Sequence, residues 1–209
     1  MIPIHAVVFD FGKVLCRPQS PETVDALAAR LGAPRDAFTA AFGEFRLEFD
    51  RGALDDAAYW TAVAGRLGAT ISPDTVAALS DLDARGWSVE NEPVTRWARE
   101  VRAAGKKTAI LSNMQTSFRR RLTELCDWLP TFDHATFSSD ISLVKPEPGI
   151  YEHCRAALGV APERLLFIDD VPGNIAAARA LRWQGIVFDG NPAELARAVA
   201  AYDVPPLVL

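Results

Sequence analysis

His5-Ala6-Val7-Val8-Phe9-Asp10-Phe11-Gly12-Lys13-Val14-Leu15 is the stretch on which the fold turns. An apolar run ends in one carboxylate, and a glycine two residues later opens a loop. A run this short, bounded by a turn signal, reads as a buried parallel strand rather than a helix. Asp10 then stands at the strand's carboxyl end, where open α/β sheets bind their ligands. Burying that charge unpaired is costly, so metal, water or hydrogen-bond donors must surround it. An aspartate that merely caps the following turn fits the same stretch, and the rest of the chain has to decide.

Working outward, the length of 209 residues suits one domain with an insertion, or two small ones. A hydrophobic share of 49% supplies a packed core and excludes a disordered chain. The net charge of −5 gives no electrostatic ground for nucleic acid or an anionic membrane as partner. No run approaches the roughly 20 apolar residues of a membrane span, and no signal-peptide pattern opens the chain. Cys16, Cys126 and Cys154 lie far apart without CxxC spacing. They read as reduced thiols in a cytoplasmic protein, not as a zinc site. Nothing in the sequence sets an oligomeric state.

After Leu15 a loop leads to Ser20-Pro21, a cap followed by a proline at the first helical position. From there to about Trp87 the pattern predicts helices at 21–31, 35–49, 55–67 and 73–84, and no strand. Phe38, Phe42, Phe45, Phe49, Tyr59 and Val63 recur at helical spacing and read as packing residues. Beyond residue 91 strands and helices alternate. Strands are expected at 107–112, near 134–138, at 164–170 and at 185–188. Helices are expected at 92–104, 115–127, 148–158, 173–181 and 192–201. Alternation of this kind predicts an α/β fold, a doubly wound parallel sheet with right-handed crossovers. Residues 1–15 and 91–209 would form the core, and 16–90 a helical insertion.

Asp10, Ser112-Asn113 and Asp169-Asp170 all fall at carboxyl ends of predicted strands, and Lys145 precedes a helix. A parallel sheet brings such ends to one edge, so these residues can converge in one crevice. Their joint chemistry suits phosphoryl transfer to water. Three crowded carboxylates raise each other's pKa values, and a hard cation such as Mg²⁺ relieves the repulsion. Ser112 can donate to a phosphoryl oxygen, Lys145 can act on it as a point charge, and Asp10 can be the nucleophile.

Phe-Asp-Phe-Gly-Lys-Val-Leu, Leu-Ser-Asn, Val-Lys-Pro-Glu-Pro-Gly-Ile-Tyr and Phe-Ile-Asp-Asp-Val-Pro-Gly-Asn, in that order, resemble the four motifs of the haloacid dehalogenase-like hydrolase superfamily. The resemblance runs from Val7 to about Val187, and the helical insertion is similar to the superfamily's small α-helical cap. Asp-x-Gly-x-Val, Leu-Ser-Asn and Lys-Pro-Glu look similar to a branch of sugar-phosphate phosphatases that includes α-glucose-1-phosphatase. The resemblance implies a Rossmann-type core and a small phosphorylated metabolite as substrate. It implies Asp10 as nucleophile and metal ligand, Gly12 as ligand through its carbonyl, and Asp170 with Asp169 completing a Mg²⁺ site. Ser112 and Lys145 would hold the phosphoryl group, Asn113 would line the pocket, and Asn174 would brace the Asp-Asp loop.

One departure stands out. Most phosphatases of this superfamily carry a second Asp two residues after the nucleophile, as general acid and base, where this chain has Gly12. Lys13, the next residue, can assist phosphate binding but is a poor proton donor near neutral pH. A metal-independent 2-haloacid dehalogenase also lacks that Asp, since halide leaves unprotonated, but has no need of the pair Asp169-Asp170. A phosphate-ester binding protein disabled by Gly12 is the non-enzymatic alternative. A phospho-receiver domain fits less well, because the lone Asp comes first here and the acidic pair last. Within the insertion, Phe42, Arg46, Trp60 and Arg17 are candidates for contact with substrate, Arg46 for a carboxylate or second phosphate.

Overall fold

The computed structural model describes residues 1–209. Its strands, in chain order, are β1 (Ile2–Pro3), β2 (Ala6–Phe9), β3 (Lys107–Ser112), β4 (His134–Phe137), β5 (Leu165–Asp169), β6 (Gln184–Val187) and β7 (Tyr202–Asp203). Five of them form one parallel sheet in the order β4-β3-β2-β5-β6. Strand β2 is the switch point. The chain runs outward from it through β3 to β4, then returns to its other side for β5 and β6. Phe9 stands opposite Ile110 on one neighbour and Ile168 on the other. The residues just beyond β2 therefore emerge between the ends of β3 and β5, the position at which such sheets bind ligands.

Every side chain of β2 is buried, because helices cover both faces of the sheet. Val7 and Phe9 face a core completed by Trp97 and Val101 of α6 (Glu92–Ala103) and by Leu195 of the last helix. Ala6 and Val8 face the opposite core, with Tyr151 and Cys154 of α9 (Pro148–Leu158) and Ile175 of α10 (Pro172–Ala180). The three cysteines are free and buried. No helix is long and apolar enough to cross a membrane.

Between Leu15 and Asn91 the chain builds five helices, α1 (Pro21–Arg30), α2 (Arg35–Glu44), α3 (Arg46–Asp50), α4 (Asp56–Arg66) and α5 (Pro73–Gly86). Ser20, Asp55 and Ser72 cap α1, α4 and α5 by accepting the N–H three residues on. The helices enclose a core of their own, with Leu27, Phe38, Phe49, Tyr59, Trp60 and Leu79 at its centre. The two segments that join this block to the sheet run side by side. Asn91 donates from its backbone to Leu15 and from its side chain to Val14, and Arg17 donates to Val89.

The structure adds three features to the sequence expectation. The helix expected over 35–49 is two helices, broken at Phe45 (φ −105°, ψ 0°). Gly43 weakens the last turn of α2, and the break lets Phe42 and Phe49 both pack on Tyr59, the latter stacked at 4.1 Å. A short helix, α8 (Ser138–Ile141), follows β4 directly, after α7 (Thr116–Leu125). The C-terminal segment beyond α11 (Pro192–Val199) is also packed. Strand β7 pairs with β1, Leu207 is buried, and the Trp97 indole N–H donates to the Pro205 carbonyl.

The end of α3 is fastened to the sheet domain through three successive residues. Ser138 Oγ donates to the Asp50 carbonyl, and Arg51 forms a two-pronged pair with Glu147, its shorter bond 2.8 Å. Gly52, at φ +82°, lies so close to Ser139 that a Cβ would come within 3.2 Å of its Cβ and 3.3 Å of its backbone. Gly32 also has positive φ (+62°), but a Cβ there would have nothing within 4 Å of it. Gly52→Ala is therefore expected to lower stability by about 2–4 kcal/mol, strain plus collision, against about 1 kcal/mol for Gly32→Ala. Equilibrium urea unfolding of the two variants checks the difference.

Candidate active site

The site begins where β2 ends. The Asp10 N–H still pairs with the Ile168 carbonyl, which holds its backbone in register with β5, and its Oδ1 accepts the Phe11 N–H at 2.7 Å. A wide turn over Phe11–Leu15, closed by the Cys16 N–H on the Phe11 carbonyl, then carries the chain away. Within it Gly12 is extended (φ −64°, ψ 128°), and Lys13 takes the left-handed conformation (φ 59°).

Lys145 is the hub. Its side chain is 2% exposed, and its ammonium lies 2.8 Å from Asp10 Oδ1 and 2.7 Å from Asp169 Oδ2. Asp169 is fully buried and accepts, in addition, the Val171 N–H at 2.7 Å and the Asn174 amide at 3.0 Å to both oxygens. Asn174 is itself fixed by Tyr151, whose hydroxyl donates to the Asn174 carbonyl. Asn113 exchanges two bonds with the Lys145 backbone, donating to its carbonyl and accepting its N–H. Asn113 thus lines the cavity, but its amide is engaged in positioning the lysine. Ser112, 3% exposed at the end of β3, makes only a long 3.4 Å contact to the Asn113 carbonyl.

Oxygens of Asp10, Asp169 and Asp170 all lie within 4.8 Å of one another. Burial pushes the Asp10 carboxyl up; Lys145 opposes that, while Asp169 and Asp170 add to it. Burial works against the Lys145 ammonium, yet Asp10 and Asp169 overcome it and hold its pKa above the ordinary lysine value. Lys13 pairs with Asp170 at 2.9 Å, so the residue expected to meet phosphate is seated on a carboxylate instead.

These residues floor a cavity of about 210 Å³ lined by Asp10, Gly12, Lys13, Ser112, Asn113 and Asp170 from the sheet side. Phe42, Arg46 and Asp50 close it from the helical side. A wider groove of about 740 Å³, near Arg99 and Lys107, lies by the start of β3 and holds none of the three carboxylates. Arg46 does reach the cavity, but not as an unpaired cation. It bonds Asp50 Oδ1 (2.9 Å), Asp83 Oδ2 (3.1 Å) and Gln115 Oε1 (2.9 Å), and lies over the Phe42 and Phe49 rings. Trp60 is buried in the helical core on Ser80, and Arg17 is turned to the Glu90 carbonyl, so neither lines the cavity. Asp50, Asp83 and Gln115 carried no sequence signal, since their meaning depends on how the helical block meets the sheet.

The chain belongs to the haloacid dehalogenase-like hydrolase family, whose profile matches residues 4–182. It is similar to bifunctional epoxide hydrolase 2 of Rattus norvegicus (29% identity over 43% of this chain and 17% of that one). It is also similar to enolase-phosphatase E1 of Streptomyces avermitilis (32%, over 45% and 41%) and hexitol phosphatase B of Escherichia coli (26%, over 50% and 49%). The chain thus spans half or less of the length of these curated relatives. Among solved structures, an L-2-haloacid dehalogenase from Xanthobacter autotrophicus shares the fold (TM-score 0.69, 22% identity, 98% of this chain and 85% of that one). So does a family enzyme of Bacteroides thetaiotaomicron in complex with magnesium and inorganic phosphate (TM-score 0.64, 16% identity, 88% and 93%). Phosphatases and a dehalogenase thus both stand among the proteins this chain resembles.

Asn174→Ala strips two hydrogen bonds from a fully buried carboxylate. An expected loss of about 2–3 kcal/mol in unfolding free energy follows, to be read by urea titration at neutral pH.

Proposed function

We propose that the protein is a magnesium-dependent phosphatase of a small phosphorylated metabolite, a sugar or polyol phosphate by its resemblances. Asp10 is the nucleophile, and its aspartyl-phosphate splits one difficult displacement into two easier ones. The observation that carries this reading is the buried chain Asp10–Lys145–Asp169, with Asp170 beside it, on the floor of a cavity.

The donor set fits a hard divalent cation, because three carboxylates offer oxygens within 4.8 Å of one another. Asp10 and Asp170, with Asp169 and the Gly12 carbonyl, would hold Mg²⁺. When bound, the ion supplies charge neutralisation and polarises the phosphoryl oxygens. Lys145 fixes the Asp10 carboxylate and balances its charge, while the Ser112 hydroxyl donates to a phosphoryl oxygen. Lys13, released from Asp170, adds a cation at the cavity edge.

Metal-independent dehalogenation of a 2-haloacid is the second reading, favoured by Gly12. Charge speaks against it. Asp10, Asp50, Asp83, Asp169 and Asp170 outnumber Lys13, Arg46 and Lys145, and each of these cations is already paired. With these carboxyl groups ionised, an anionic substrate entering such a site without a metal ion meets net repulsion.

Phosphate release from p-nitrophenyl phosphate and a panel of phosphorylated metabolites, with Mg²⁺ or with chelator, tests the proposal beside halide release from 2-chloropropionate. Phosphate release that needs Mg²⁺ and vanishes in a folded Asp10→Asn variant is expected. Metal-independent halide release without phosphatase activity would overturn it, and calorimetric binding of phosphate esters without turnover would make the protein a binding module. Lys13→Ala removes the half-exposed competitor from Asp170, so calorimetry should show Mg²⁺ affinity rising by up to about fivefold.

A further inference from the structure

A phosphatase that expels an alkoxide must protonate it, and Gly12 has no side chain with which to do so. Asp10, Asp170 and Asp50 are the only carboxyl groups lining the cavity, and the first two belong to its crowded floor. Lys13 is bound to Asp170, and the Tyr59 hydroxyl, outside the cavity, donates to the Phe42 carbonyl.

Asp50 is different. It enters from the helical side, apart from the floor carboxylates, with a side chain 12% exposed. Its Oδ1 accepts from Arg46 Nε at 2.9 Å, and no protein donor reaches its Oδ2. Its backbone is held to the sheet domain, not merely to the helical block. Ser138 Oγ donates to its carbonyl and itself accepts the Met114 N–H at 2.9 Å, one residue past Asn113. The next two residues are the Arg51–Glu147 pair and the Gly52–Ser139 contact. A carboxyl group so anchored keeps a fixed position over the same cavity as the nucleophile.

We propose that Asp50 is the catalytic proton donor to the leaving oxygen, and then the base for the attacking water; this rests on the phosphatase reading above. In the first displacement an Asp10 oxygen bonds to phosphorus, the ester P–O bond breaks, and the leaving oxygen takes the Asp50 carboxyl proton. In the second, water adds its oxygen to the phosphorus and gives a proton to the Asp50 carboxylate. The P–O bond to Asp10 breaks, and inorganic phosphate leaves with both side chains restored.

The charged and titratable groups that face Asp50 suit this cycle. They are Arg46 from its own helix, Asp83 from α5, Tyr59 from α4 and Lys145 from the loop before α9. Burial pushes the Asp50 carboxyl up, Arg46 opposes, and Asp83 adds to the rise, leaving it at about 6. An acid near the working pH can both give and regain a proton.

The leaving group makes the test. p-Nitrophenolate departs without a proton, whereas an alkoxide needs one. Asp50→Asn keeps an acceptor for Arg46, and melting temperature confirms its fold. It should lower kcat/KM for an alkyl phosphate drawn from the wild-type screen by about 10²–10³-fold, while the pre-steady-state burst of p-nitrophenolate changes by less than about tenfold. Gly12→Asp added to that variant should restore alkyl phosphate turnover at least in part. The backbone there is extended, and the nearest atom to a Cβ is Trp87 Cζ3 at 3.8 Å.

A measurement on the wild type needs no variant at all. The ratio of alkyl to aryl kcat/KM should fall as pH rises above about 6, because the donor must be protonated. An alkyl rate retained by Asp50→Asn, an equal loss in alkyl turnover and aryl burst, or a flat ratio would overturn the role of Asp50 and leave the phosphatase reading standing. A wild type inert towards every phosphate ester, with or without Mg²⁺, would instead remove that reading and this one with it.

Discussion

A single buried ammonium holds the molecule's chemistry together. Lys145 lies between Asp10 and Asp169 at 2.8 and 2.7 Å, with the Phe167 ring 5.4 Å away. An ion this deep is tolerated only when its partners and hydrogen bonds are complete, and loss of one partner strands the other charges. The demand propagates. Asp10 and Asp169 must leave neighbouring strands at the same level, which the β2–β5 register ensures by setting Phe9 against Ile168. The lysine must arrive from a loop that has no regular structure of its own, and Asn113 supplies the missing backbone partners from the end of β3. Glu147 then closes the loop on the Val144 N–H and extends the chain of contacts to Arg51 of the helical block.

That dependence explains which parts were legible in the sequence. Hydrophobic runs too short for helices, each ending in polar residues, marked the sheet strands and the residues on its ligand edge, because both follow from local pattern and topology. Asp10, Ser112, Asn113, Lys145, Asp169 and Asp170 could be collected by address alone. The break at Phe45 could not be read, since a continuous helical period runs across it and only the packing of Phe42 and Phe49 on Tyr59 decides the geometry. The same break aims Arg46 at Asp83 and Gln115, partners 37 and 69 residues away in sequence. Arg46 was recognisable as an unusual arginine on an apolar stretch. Its pairing was not, because no local signal encodes a contact between the helical block and the sheet. Strands β1 and β7 were missed for a simpler reason: two residues each carry no periodicity.

Charge is distributed over those two layers in a way that matters for any ligand. The sheet side sets three carboxylates against Lys13 and Lys145, and the helical side sets Asp50 and Asp83 against Arg46. Each layer is left one positive charge short when all its acids are ionised. Raised Asp10 and Asp50 carboxyl groups are the protein's own response, since protonation lowers the local charge at less cost than repulsion. On the sheet side a divalent cation can perform the same service and free Asp10 to act as an anion. On the helical side a proton on Asp50 does so.

Gly12 then takes on a different meaning. A carboxylate on that residue would stand beside Asp10, Asp169 and Asp170 and add a further like charge to the most crowded part of the site. With Gly12 bare and Lys13 turned through the left-handed region onto Asp170, the sheet side gains a cation and no fourth carboxylate. The left-handed residue costs about 1–2 kcal/mol, which the exposed ion pair offsets only in part. An acid carried on α3 escapes the crowding, because Arg46 stands next to it and Asp83 tunes it from behind. It also makes proton delivery depend on the seating of the helical block, through Ser138, Glu147 and Ser139. On the proposed roles of Asp10 and Asp50, a substrate held only by the sheet side would meet the nucleophile without its proton donor, so both layers would have to engage the same molecule before an alkoxide could leave.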